Sequence, residues 1–256
     1  MKKISLRFLY IFTIFILLFV FNNKIQISIY KNNLYFLKHV FPSIFPVMII
    51  SLYLKYNVLN QTNNKYLKYL CLCLFFAPSN ALFTDDENIT LFTTNINPFF
   101  TFNIIYNLTR NTTTSLKIVL VNLVINYLFL FYNVIIKNKL TIKKTNKKKT
   151  FNDIIKETMI CVINIFGITT LFTVLSTLLI NIKIPSILII FLDAINGFNI
   201  ISILNYKKIS IILLNSFCGL NIFTQIKSIN NKIGYKFILK KFILSIFILI
   251  LTLIII

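Results

Sequence analysis

Apolar runs of about twenty residues, separated by lysine-rich or asparagine-rich breaks, constrain this chain more than any other feature. A helix that crosses a bilayer needs about 20 mainly apolar residues, whereas a barrel strand alternates over about ten. The runs here cover roughly 8–21, 40–56, 66–83, 89–108, 118–136, 154–182, 184–204, 209–226 and 237–256, and they do not alternate. The expected fold is therefore all-α: a polytopic transmembrane helix bundle of about eight spans. Composition agrees. Of 256 residues, 57% are hydrophobic and 13% charged, against about 25% charged in soluble domains. Disordered, collagen-like and disulfide-scaffold chains are excluded on the same ground.

The net charge of +21 would suggest nucleic acid in a soluble protein. Here the lysines lie between apolar runs, where they hold loops at an anionic cytoplasmic face. The lipid bilayer is the expected partner, and nucleic acid is not. Residues 1–35 read as a retained N-terminal anchor: Lys2, Lys3 and Arg7 precede an apolar run, but Asn22-Asn23-Lys24 follows it with no small-x-small cleavage site. Residues 36–136 form a first half. Residues 137–150 form a loop with seven lysines, expected in the cytoplasm, and 151–256 form a second half. Counting every run as a crossing would place that loop outside. One first-half run is therefore expected to be broken or re-entrant, and 89–108 is the least apolar.

The halves correspond coarsely. In the first, polar interruptions fall at Pro78-Ser79-Asn80 and at Asn95-Ile96-Asn97-Pro98. In the second, they fall at Asp193 to Gly197 and at Cys218 to Gln225. Interrupted spans at matching positions in two halves are the sequence mark of repeat-built transporters.

Soluble-enzyme motifs are missing: there is no glycine-rich phosphate loop, no H-E-x-x-H and no G-x-S-x-G. His39 has no catalytic partner nearby and reads as an interfacial histidine. Asp85, Asp86 and Glu87 read as a solvated loop. Cys71, Cys73, Cys161 and Cys218 read as small buried thiols rather than metal ligands. No catalytic residue, metal or cofactor is expected. Asp193 stands apart, because a carboxylate inside an apolar span costs about 2.5–3.5 kcal/mol on insertion scales and is usually turned toward a substrate, ion or proton. Asn196 follows three positions later on the same helical face, and Gly197 allows a break. Asn221 and Gln225, four apart, share a face and can bind a neutral polar ligand. Prolines and asparagines at Pro78, Asn80, Asn95, Asn97 and Pro98 free backbone groups at depth, which is tolerated where protein or a wet cavity satisfies them.

These segments resemble a family. Val40-Phe41-Pro42-Ser43-Ile44-Phe45-Pro46 resembles a signature of the bacterial sporulation integral membrane protein YlbJ family, which is linked to the nucleoside recognition, or gate, domain. Residues 94–100, 193–197 and 217–225 are similar, in the same order, to its Asn- and Pro-containing, carboxylate-x-x-Asn-Gly and glycine-containing segments. The chain departs from the family in Phe76 to Ala81, which lacks both glycines, in Phe223 where the family has His, and in Asp193 where it has Glu. The resemblance implies a multipass protein of a bacterial cell membrane that transports or senses a small polar solute, with a nucleoside as one such cargo. A non-transporting component of sporulation or envelope assembly is the alternative.

The loop's position is directly testable. A cysteine placed at Lys143 should resist a membrane-impermeant thiol reagent in intact cells and react after permeabilisation. Labelling from outside would reverse the orientation.

Overall fold

The computed structural model describes residues 19–59, 64–74, 76–84, 86–137, 149–193, 197, 200–201 and 207–256. Most of the first apolar run and of the lysine loop, together with Asp85 and Asn196, lies outside the described residues. Within them the chain is 86% helical and has no strand. Five helices are long and apolar enough to cross a membrane: Asn22–Asn57 (α1), Thr112–Ile136 (α5), Phe151–Asn181 (α6), Lys207–Ile229 and Lys236–Ile255 (α10). The fourth is broken in its middle into Lys207–Phe217 (α8) and Gly219–Ile229 (α9). Shorter helices are Lys65–Leu74 (α2), Glu87–Thr93 (α3), Pro98–Thr109 (α4) and Ser186–Leu192 (α7).

The local chemistry sets these boundaries. Thr150 and Asp153 close a reciprocal capping box at the start of α6. Beside it, Lys149 Nζ bridges Glu157 at 2.6 Å and Tyr56 Oη donates to Glu157 at 3.0 Å, which ties the end of α1 to the start of α6. Asp86 accepts from the N–H groups of Asn88 and Ile89 and caps α3. Asn97 caps α4 by accepting from Phe99 N at 3.0 Å, with Pro98 at the first helical position, where its missing N–H does no harm. In α1, Pro42 and Pro46 remove two helical donors. The helix loosens to a π turn over Phe36–Val40, immediately before the first of them.

The apolar run 66–83 does not continue as one helix. It stops at Leu74, ahead of Pro78, which lacks an N–H and disfavours helix at the preceding residue. A short 3-10 turn, Ser79–Leu82, follows. The run 89–108 is split at Thr94–Asn97 between α3 and α4. The run 184–204 is interrupted at Asp193, which is extended (φ −137°, ψ 121°).

Beside buried apolar clusters, polar residues lie inside and apolar stripes lie outside. On α10, Leu239, Ile243, Phe247, Ile250 and Ile254 form an exposed stripe at spacings of three and four, while Lys241, Ser245 and Thr252 face inward. On α6, Thr158, Thr169, Thr173 and Ser176 are buried, and Ile160, Ile163 and Leu171 are exposed. On α5, Ser115, Asn122 and Asn126 are buried beneath exposed Leu116, Leu120, Val124 and Leu128. Water disfavours such continuous apolar faces, and lipid accepts them. Inside the bundle α1 and α9 pack along α6, α10 packs against α8 and α5, and α3 and α4 pack against α5.

Two glycines should behave oppositely. Gly219 opens α9 with φ 82°, a conformation costing a β-carbon about 1–2 kcal/mol. Gly167 lies inside α6, and a methyl group added there would have no neighbour within 4 Å. Gly219→Ala should lower the melting point of the purified protein. Gly167→Ala should leave it unchanged or raise it, since alanine favours helix by up to about 1 kcal/mol. Circular dichroism in detergent measures both.

Candidate functional site: a cavity between broken helices

The helix breaks meet one another. Ala77 N donates to Asn95 O at 2.9 Å, joining the two interruptions of the first half. Thr94 O accepts from Lys241 Nζ at 2.6 Å and from Cys218 Sγ at 3.5 Å, joining the first half's break to the α8–α9 break. At that break Cys218 and Gly219 both have positive φ, 72° and 82°. Gly197 N donates to Asp193 O at 2.7 Å. A methyl group on Gly197 would stand 2.9 Å from the Leu214 side-chain Cδ2 and 3.0 Å from the backbone Ile190 O, so glycine suits the close approach of this backbone to that of Ile190.

A cavity lies where the breaks converge. Its lining includes Asn97, Asp193, Asn221 and Gln225, with Ser43 and Ile44 from α1 and Thr169 from α6. Centres of water-sized molecules have about 70 Å³ of room in it, against about 10–15 Å³ needed for one water. Asp193 is 1% exposed, and Asn221 and Gln225 are each 2% exposed. They are joined in a chain: Asn221 Nδ2 donates to Asp193 Oδ1 at 3.1 Å, and Gln225 Nε2 donates to Asn221 Oδ1 at 2.8 Å. The expected sharing of one helical face by Asn221 and Gln225 is thus realised on α9.

The other sequence candidates take different places. Asp193 follows α7 with an extended backbone, and Asn196, expected on the same face, lies outside the described residues. Asn80 is fully buried away from the cavity lining. Its Nδ2 donates to Thr93 Oγ1 at 2.8 Å and Thr94 Oγ1 at 3.3 Å, tying the 3-10 turn to the end of α3. Asn95 is also fully buried off the lining: its backbone carbonyl accepts from Ala77 N at 2.9 Å and its side-chain Nδ2 donates to Phe92 O at 3.3 Å. Pro78 lines a smaller neighbouring pocket beside Asn97. Pro98 starts α4. Of the acidic trio, Asp86 is a cap and Glu87 pairs with Lys240 at 2.9 Å. His39 is exposed against Tyr35.

Lys241 is the residue that sequence reading missed. It is 2% exposed on α10, where its ammonium donates to Leu91 O at 3.3 Å and Thr94 O at 2.6 Å. These are carbonyls at the C-terminal end of α3, where the helix dipole favours a cation. A charge five residues into the terminal apolar run was the available signal, the same one that singled out Asp193. No group of three or more His, Cys, Asp or Glu able to hold a metal occurs among the described residues. Comparison with protein-family models, characterised proteins and solved structures yields no match.

Asn80 provides a check on this division between structural and site residues. Asn80→Leu should cost about 1–3 kcal/mol of stability by stranding its partners, and it should leave ligand binding at the cavity intact in whatever fraction folds. Loss of binding in folded Asn80→Leu protein would move Asn80 back into the site.

Proposed function

We propose that this chain is a multipass membrane protein that binds a small polar solute in the cavity between its broken helices and carries it across the bilayer or senses it. The observation that carries the reading is the hydrogen-bonded chain Asp193–Asn221–Gln225, buried in an apolar bundle and opening on a cavity lined by the interruptions of both halves. A buried carboxylate is expensive, and networks of this kind in a membrane most often serve a substrate or an ion.

The reading extends to a layout of about eight spans, in which the short pieces α2 to α4 and α7 form broken or re-entrant segments and the two halves correspond. It is supported by the first-half interruptions at Ala77 and Asn97 and the second-half ones at Asp193 and Asn221 lying on one cavity rather than at opposite ends. The resemblance to the sporulation and nucleoside-recognition type belongs to the same reading. The four segments that carry it supply Val40, Asn97, Asp193 and Gln225 to one lining. The bacterial cell membrane is the location this implies. With room of about 70 Å³, the cavity suits a solute of a few heavy atoms; a nucleoside would require the breaks to move apart. The role is binding and passage, with no catalytic step assigned to any residue.

Uptake by the purified protein in liposomes tests this reading, with Asp193→Asn as the decisive variant. It keeps the shape and hydrogen bonding of the side chain and removes the charge. Uptake should fall at least tenfold, while expression and melting stay near wild type (about 1.4 kcal/mol corresponds to each tenfold). Wild-type uptake by folded Asp193→Asn would remove the charged role and leave Asn221 and Gln225 as neutral contacts. No uptake of any small solute by the wild type would favour the non-transporting alternative.

A further inference from the structure

A groove runs between α5 and α10 on the outside of the bundle. It is lined by Ile125, Leu128, Phe129 and Tyr132 of α5 and by Phe247 and Leu251 of α10. Centres of water-sized molecules have about 470 Å³ of room in it, against about 70 Å³ in the interior cavity. The two share none of their described lining residues. Leu128, Tyr132 and Phe247 are 64%, 44% and 45% exposed. The two helices run antiparallel. Lys117 Nζ, near the start of α5, donates to Ile255 O at the end of α10 at 3.2 Å, and the Phe129 and Phe247 rings meet edge-on with centroids 6.2 Å apart. Phe92 of α3 stacks on Phe129 at 5.2 Å.

One end of this groove is cationic. Lys137 directly follows α5 and holds its ammonium 4.8 Å from the centre of the Tyr132 ring. It is paired with no carboxylate among the described residues. On α10, Lys240 lies two turns before Phe247, at the same end, and Glu87 neutralises it at 2.9 Å. The twelve residues from Ile125 to Lys137 span about 18 Å of helix, close to the ~15 Å hydrocarbon depth of one leaflet. A base near the bilayer centre and an ammonium at headgroup level give the groove the length of one lipid.

We propose that the groove is a binding site for an anionic phospholipid, with an acyl chain between α5 and α10 and a singly charged phosphate against Lys137. Lipid tails are as apolar as this lining, so the groove alone does not distinguish one lipid from another. Selection rests on the headgroup, because basic residues at the membrane surface attract anionic lipids. A zwitterionic headgroup brings its own ammonium toward Lys137 and gains less. A second copy of the chain is a poorer occupant. A two-fold contact sets the same patch against itself, so groove would face groove, leaving the hollow unfilled and bringing the two Lys137 side chains together.

The chain contains no tryptophan, so a single one placed in the groove reports on that place alone. The full-length Phe247→Trp protein is reconstituted in phosphatidylcholine vesicles. It is titrated with phosphatidylglycerol or phosphatidylcholine carrying the same dibrominated acyl chains, which quench tryptophan on contact. Phosphatidylglycerol should quench at about fivefold lower mole fraction, the preference one surface lysine supplies. Adding Lys137→Gln should remove the preference. Adding Lys156→Gln, the same charge change at the start of α6, should leave it. Ile160→Trp reports on an exposed position of α6 one turn from Lys156, which itself lies one turn from Asp153, and it should show no preference. If Phe247→Trp fails to fold, as its melting shows, Leu128→Trp carries the test. Equal quenching by the two lipids, or the same preference in the groove and at Ile160, would overturn the site and leave unselective lipid contact. A groove tryptophan quenched by neither lipid would overturn it in favour of a face covered by protein.

Discussion

A helix broken inside an apolar bundle strands backbone groups that neither lipid nor a neighbouring helix surface can satisfy, and this one constraint organises the molecule. Each freed group has to find its partner in another break or in a polar side chain brought to it. Ala77 N finds Asn95 O. Thr94 O finds Lys241 and Cys218. Asn230 Nδ2 reaches Thr84 O at 3.0 Å. Interruptions far apart in sequence are thereby drawn to the same depth. The space they fail to fill, between chains that can no longer pack as regular helices, is the cavity.

Two buried charges follow from the same logic. Asp193 and Lys241 stand on separate elements, and each is accommodated by dipoles. Asn221 turns its amide N–H to the carboxylate, and carbonyls at the end of α3 surround the ammonium. Oriented dipoles of this kind stabilise a charge in a low-dielectric interior. The two arrangements differ in their surroundings. Lys241 closes a helix end, whereas Asp193 is joined to Asn221 and Gln225 beside the cavity.

Much of this was legible in the sequence where cost is high and local. Asp193, Asn97, Asn221 and Gln225 were visible as polar residues that an apolar run tolerates only for a reason, and they share one lining. Periodicity of four placed Asn221 and Gln225 on one face of α9. What could not be read was the division of labour among similar residues. Asn80 and Asn97 look alike in sequence, since both lie within two residues of a proline in an interruption. Only the tertiary structure shows that the Asn80 amide is consumed by Thr93 and Thr94, whereas Asn97 caps a helix at the rim of the cavity.

The span count shows where hydropathy stops being informative. A run such as 66–83 is apolar enough for a bilayer, yet it yields a ten-residue helix and a turn, because Pro78 removes a donor and restricts its neighbour. Apolarity reports that a segment is buried in lipid or protein; continuity of backbone hydrogen bonding decides whether it crosses. The helices that meet both conditions turn apolar stripes outward, and α5, α6 and α10 also bury polar residues such as Asn122, Asn126, Thr169, Thr173, Ser245 and Thr252. The shorter, interrupted pieces bring Asn97 and Asp193 to the cavity beside α9. This is a division between a lipid-facing scaffold and a polar interior built from broken elements. In this bundle, Asn97 and Asp193 reach the cavity at points where the helix pattern fails.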